Sequence, residues 1–144
     1  MVCACLVFCL AGTSLAQSPT WRGTYTVRGP GVNLSGSWTA SLHQDPYAGW
    51  GTWTLFDGSG RAAGSGSWSA RKTEKAWEGR WQVRVADQRG SISGTWTANL
   101  RINGAARFAD LLQSALNEIV SGTWGRSSVQ NGTWSIRAAP GDQP

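Results

Sequence analysis

"ISGTW", residues 92–96, is the stretch on which the fold turns, because the chain keeps returning to it. Near-copies stand at 34–38 ("LSGSW"), 64–68 ("GSGSW"), 120–124 ("VSGTW") and 130–134 ("QNGTW"). The shared kernel is Gly-x-aromatic, and it occurs eight times, ending at Tyr25, Trp38, Trp53, Trp68, Trp81, Trp96, Trp124 and Trp134. Around most copies the residues alternate. Ile92, Gly94, Trp96, Ala98 and Leu100 share one parity, and Ser93, Thr95, Thr97 and Asn99 the other. Trp77, Gly79, Trp81, Val83 and Val85 likewise oppose Glu78, Arg80, Gln82 and Arg84. A period of two with one polar face marks a half-buried β-strand.

Turn-forming stretches separate the segments: "RGPG" at 28–31, "HQDPYAG" at 43–49, "DGSG" at 57–60, "RKTEK" at 71–75, "DQRG" at 87–90 and "RSS" at 126–128. Connections this short favour antiparallel hairpins. One connection differs. Between 103 and 120, Phe108, Leu111, Leu112, Ala115, Leu116 and Ile119 recur at helical spacing, which predicts one amphipathic helix between strands six and seven. The fold class expected is therefore all-β: an eight-stranded antiparallel up-and-down barrel with that helix inserted, a two-sheet sandwich being the alternative. In such a barrel the reversed order of neighbouring strands sets a Trp level with a Gly, so that large and small side chains alternate inside. Eight rings cannot share one level of so small a barrel, whereas two layers of four can.

The first sixteen residues, "MVCACLVFCLAGTSLA", have an apolar run and end in small residues, the pattern of a secretory signal peptide cleaved after Ala16. All three cysteines lie within it. The expected mature chain, 17–139 as one barrel domain with a disordered tail at 140–144, thus has no disulfide, thiolate or cysteine-ligated metal, and the expected location is secreted or periplasmic. The net charge of +5 is scattered along the chain and predicts no specific nucleic-acid partner. An outer-membrane barrel with inverted faces is disfavoured by short apolar segments rich in Gly and Ala.

The segments "LSGSW", "ISGTW" and "EGRW" resemble the strand motifs of the avidin and streptavidin family and, more loosely, the wider calycin barrels. The resemblance covers the strands only. It implies an eight-stranded barrel that binds a small molecule at one open end, walled by Trp and polar side chains. The avidin polar ligand set has no counterpart here, the strand around Trp134 lacks the Asp that would meet biotin, and the helix at 103–120 is foreign to that barrel.

Catalytic patterns are sparse. There is one histidine, His43, no Ser in a nucleophile-elbow context, and acids that fall mostly in turns, so no enzyme, metal or cofactor is expected. The most chemically mixed stretch is "HQDPYAGW" at 43–50, which brings His43, Asp45, Tyr47 and Trp50 to one end of the barrel, with Trp50 out of phase with Gly49, Gly51 and Trp53. Candidate ligand-binding residues are these four together with the inward Trp53, Trp81 and Trp96. The expected function is a non-enzymatic calyx for a small apolar or planar ligand. The alternative is an interaction domain, with a packed Trp core, that meets a protein, a glycan or a second copy through surfaces such as Trp50 and Phe56.

Overall fold

A computed structural model describes residues 20–86, 89–98 and 106–140. The strands are β1 (Thr20–Gly29), β2 (Val32–Leu42), β3 (Ala48–Phe56), β4 (Ala62–Lys72), β5 (Trp77–Val85), β6 (Ile92–Ala98), β7 (Val120–Gly125) and β8 (Asn131–Ala138), with helix α1 (Phe108–Asn117) between β6 and β7. All neighbours are antiparallel, and β8 pairs with β1 to close the barrel in meander order. Closure excludes the two-sheet sandwich. The expected signal peptide, the expected tail beyond Pro140 and the first residues of the expected helix lie outside the described residues.

The Gly-x-aromatic kernels pair reciprocally within four of the hairpins, whereas across the strand pairs between these four Trp38 faces Trp53, Trp68 faces Trp81 and Trp96 faces Trp124. Gly23 faces Trp38 and Tyr25 faces Gly36 across β1 and β2. The same exchange joins Gly51 to Trp68 and Trp53 to Gly66, then Gly79 to Trp96 and Trp81 to Gly94, and finally Gly122 to Trp134 and Trp124 to Gly132. Each ring lies over the glycine opposite, where a Cβ would collide with it; the Cβ of an alanine at Gly94 would stand 2.5 Å from Cζ2 of Trp81. Glycine is required here for close approach. In four cases the indole Nε1 then donates to the carbonyl of the residue that follows the glycine: Trp38 to Thr24 (3.0 Å), Trp68 to Thr52 (3.3 Å), Trp81 to Thr95 (3.1 Å) and Trp134 to Thr123 (3.0 Å). In these four pairings every position has a role: the glycine makes room, the middle residue lends its carbonyl, and the aromatic residue fills the space above the reciprocal glycine.

Because alternate strands run in opposite directions, the rings form two tiers. Tyr25, Trp53, Trp81 and Trp124, from the odd strands, stand nearer the end bearing the short β1–β2 and β7–β8 turns. Trp38, Trp68, Trp96 and Trp134, from the even strands, stand nearer the helix. Within the tiers, edge-on contacts join Tyr25 to Trp53 (centroids 5.7 Å), Trp81 to Trp124 (6.2 Å) and Trp96 to Trp134 (5.5 Å), the geometry that the ring quadrupole favours.

Helix α1 closes the second end. It begins at Phe108 and ends at Asn117, shorter than the periodicity predicts, and Ile119, outside it, is 63% exposed. Asp110 caps its start by accepting from the Arg107 amide (2.7 Å), which satisfies one of the otherwise unpaired first-turn donors. Phe108, Leu111, Leu112 and Ala115 are buried on one face. The helix is tied down by the Phe108 amide, which donates to Pro46 (2.7 Å), and its approach by Lys72 Nζ, which donates to Ala106 (3.2 Å).

The outer wall is hydroxyl-rich. Thr26 and Ser135 (2.7 Å) and Thr39 and Thr52 (2.8 Å) bond directly across neighbouring strands. Outward Ser, Thr, Arg and Glu occupy the band where a lipid-facing barrel carries apolar side chains. Among the described residues no helix is long and apolar enough to cross a membrane.

Candidate functional site

The space above the helix is open. A cavity of about 410 Å³ runs from Phe108, Leu111 and Leu112 at its floor, past both aromatic tiers, to a mouth framed by Pro30, Val32, Leu34, Val85 and Ile92. Its size lies within the range of small-molecule sites. The walls are apolar in effect as well as composition. Besides the four indoles above, Trp96 donates to Ser69 (2.9 Å) and Trp124 to Arg28 (3.1 Å), while the Tyr25 hydroxyl donates to Thr54 (3.0 Å). Burial holds that hydroxyl well above the ordinary tyrosine range, so it stays protonated as a donor. Only Trp53 of the eight kernel rings has no hydrogen bond among the described residues.

Two other polar side chains line the cavity, Arg126 and Gln130, and both belong to the β7–β8 turn at the mouth. Arg126 Nη1 donates to Gln130 Oε1 (3.1 Å). The turn itself is closed by the Arg126 amide donating to the Gln130 carbonyl (2.8 Å) and by the Gln130 amide donating to Ser127 Oγ (3.2 Å).

The sequence candidates divide between three places. Trp53, Trp81 and Trp96 line the cavity. His43, Asp45 and Tyr47 stand in the β2–β3 connection at the helix end, away from the mouth, where their polar atoms build the turn: the Asp45 amide donates to His43 Nδ1 (3.0 Å) and the Tyr47 amide to Asp45 Oδ1 (2.9 Å). Lys72 lies over the Tyr47 ring, 5.4 Å from its centroid. Trp50 is on the outer wall, 52% exposed, between Ser41 and Ser69. Its phase follows from regular pairing, since the one register shift in β3 comes later, between Leu55 and Phe56. Trp50→Ala is accordingly expected to change stability by no more than about 0.5 kcal/mol, as surface substitutions do. Thermal denaturation checks this, and a loss above about 2 kcal/mol would make the ring part of the wall's packing.

The chain matches no family model, no curated protein and no solved structure. The closed eight-stranded antiparallel meander is compatible with a calycin-like barrel. Among the described residues no group of three or more His, Cys, Asp or Glu could hold a metal ion.

Arg126 and Gln130 are absent from the sequence candidates, yet a signal for them exists. Arg126 continues the inward parity of Gly122 and Trp124 by one step, and Gln130 precedes Gly132 and Trp134 in the same phase.

Proposed function

We propose that this protein is an exported, non-enzymatic calyx that takes a small apolar or planar ligand into its Trp-lined barrel. The observation that carries this reading is the cavity of about 410 Å³, open at one end, whose lining hydroxyl and all but one of whose kernel indoles already donate to backbone carbonyls. Such a wall offers dispersion and apolar burial, worth about 25 cal/mol per Å² of apolar surface, and almost no uncommitted hydrogen bond. The same lining supports a role without catalysis: it holds no acid–base pair, and the lone histidine lies at the other end. The apolar run of residues 1–16, ending in the small residues of a signal-peptide cleavage pattern, supports export. The avidin resemblance extends in this reading to architecture and not to biotin, whose polar ring asks for side-chain partners that this lining does not supply.

The test is titration with a neutral, environment-sensitive fluorophore such as N-phenylnaphthylamine. Saturable one-to-one binding with enhanced dye emission and quenched Trp emission is expected. Leu34→Trp, which places a ring at the mouth, should weaken binding at least tenfold without loss of fold. Absence of saturable binding to the wild-type chain would sink the reading. A second reading, an interaction domain, draws on the exposed Trp50 and Phe56 of the outer β3 wall; it predicts association that Trp50→Ala weakens.

A further inference from the structure

We propose that the ligand is an amphiphile with an anionic head, and that Arg126 holds this head at the mouth while the apolar tail fills the barrel. This rests on the calyx reading. Below the mouth no charged side chain stands among the described lining residues. The wall donors already serve backbone carbonyls, and the Trp53 indole is a neutral donor lying against Gly66. A charged group drawn to that depth would lose its hydration with no counter-charge in return. The mouth is different in kind.

Arg126 is the one ionisable side chain among the lining residues apart from the Tyr25 hydroxyl, which remains protonated. A guanidinium presents five N–H donors, and the one bond it makes here goes to a neutral acceptor, Gln130 Oε1. That bond, between two exposed side chains, leaves its charge and most of its donors for a further acceptor. The β3–β4 turn, across the mouth at the same end of the barrel, provides a contrast. Its Arg61 pairs with Asp57 (3.5 Å) and Ser59 (3.1 Å), so that its charge is already answered, and it does not line the cavity. Beside Arg126 the rim is apolar, made of Val32, Leu34, Val85 and Ile92. A cationic fork next to an apolar shaft matches a molecule whose carboxylate or phosphate accepts two parallel hydrogen bonds and whose tail is saturated or aromatic.

Binding of dodecanoate, dodecyl phosphate, dodecanol and dodecylamine to the wild-type chain, below their aggregation concentrations, tests this by displacement of the neutral fluorophore. The two anions are expected to bind at least tenfold more tightly than dodecylamine, and their order identifies whether the mouth favours carboxylate or phosphate. Arg126→Gln should weaken both anions about tenfold or more, the scale of a lost charge-assisted hydrogen bond, whereas Arg61→Gln should leave them within twofold. Anions that bind no more tightly than dodecylamine, or that survive Arg126→Gln, overturn the head-group assignment and leave the calyx standing. Failure of the fluorophore and of all four chains overturns the calyx itself.

Discussion

Replacing Gly51 with alanine is expected to cost about 3 kcal/mol or more, the upper end of what overpacking does. The added Cβ would run into the carbonyl oxygen of Thr39 and stand 2.5 Å from Cζ2 of Trp68. Neither neighbour can retreat cheaply. The carbonyl is part of the β2–β3 ladder, and the indole is held by its bond to Thr52 and by Phe108, 5.9 Å away between centroids. Shifting the ring would also give up a hydrogen bond worth about 1 kcal/mol. In a domain of this size the loss corresponds to a fall in melting temperature of about 12 °C. Gly58, which has open space where a Cβ would go, provides the control, and Gly58→Ala should leave stability nearly unchanged. Chemical denaturation of both variants decides; equal effects would remove the reason given for the kernel glycines.

The second large effect is expected at the floor. Phe108 is 1% exposed and packs on Trp77 (centroids 5.3 Å) and Trp68, above Gly49, where any Cβ would strike its ring. Phe108→Ala should cost about 3–5 kcal/mol and lower the midpoint of one cooperative transition, because the ring ties the helix to three strands at once. A helix that served as a movable lid would behave otherwise: the loss would be under about 1 kcal/mol and rapid amide exchange would be confined to residues 108–117. The floor already carries one cost. Trp77 is fully buried and its Nε1 has no hydrogen-bond partner among the described residues, so its packing outweighs an unmet donor of about 1–3 kcal/mol.

The strands and their order were legible because a half-buried strand writes its orientation into every second residue, and eight similar segments with short turns leave few arrangements besides a closed meander. The helix was legible too, but not its limits: Ile119 fits the spacing and yet lies outside the helix, since periodicity does not register where the chain must turn back into β7. Less was legible at the site. Meander order puts the β6–β7 helix at the same end as the β2–β3 connection, but helical spacing alone does not say that the helix closes that end, and this closure separates the mouth from His43, Asp45 and Tyr47. Their mixed chemistry drew attention to 43–50, where the structure uses it to shape a turn beneath Phe108. Arg126 sat in a three-residue turn signal whose composition looks ordinary; its position next to the cavity follows only from carrying the strand's parity past its end.

The reciprocal exchange of glycine and aromatic residue also guards against a misalignment that alternation alone would allow. Sliding β4 along β3 by two residues keeps every side chain on its proper face, so inward-outward patterning cannot detect it. The exchange can. In one direction the slip sets Trp53 against Trp68 and takes both rings off the glycines they lie over, and in the other it sets Gly51 against Gly66 and Trp68 against Gly49, where the Phe108 ring lies. Either slip undoes the native exchange of β3 and β4, although rings face one another directly elsewhere in the barrel, Trp38 with Trp53, Trp68 with Trp81 and Trp96 with Trp124. The eight kernels thus act as an alignment code written into four hairpins, β1–β2, β3–β4, β5–β6 and β7–β8.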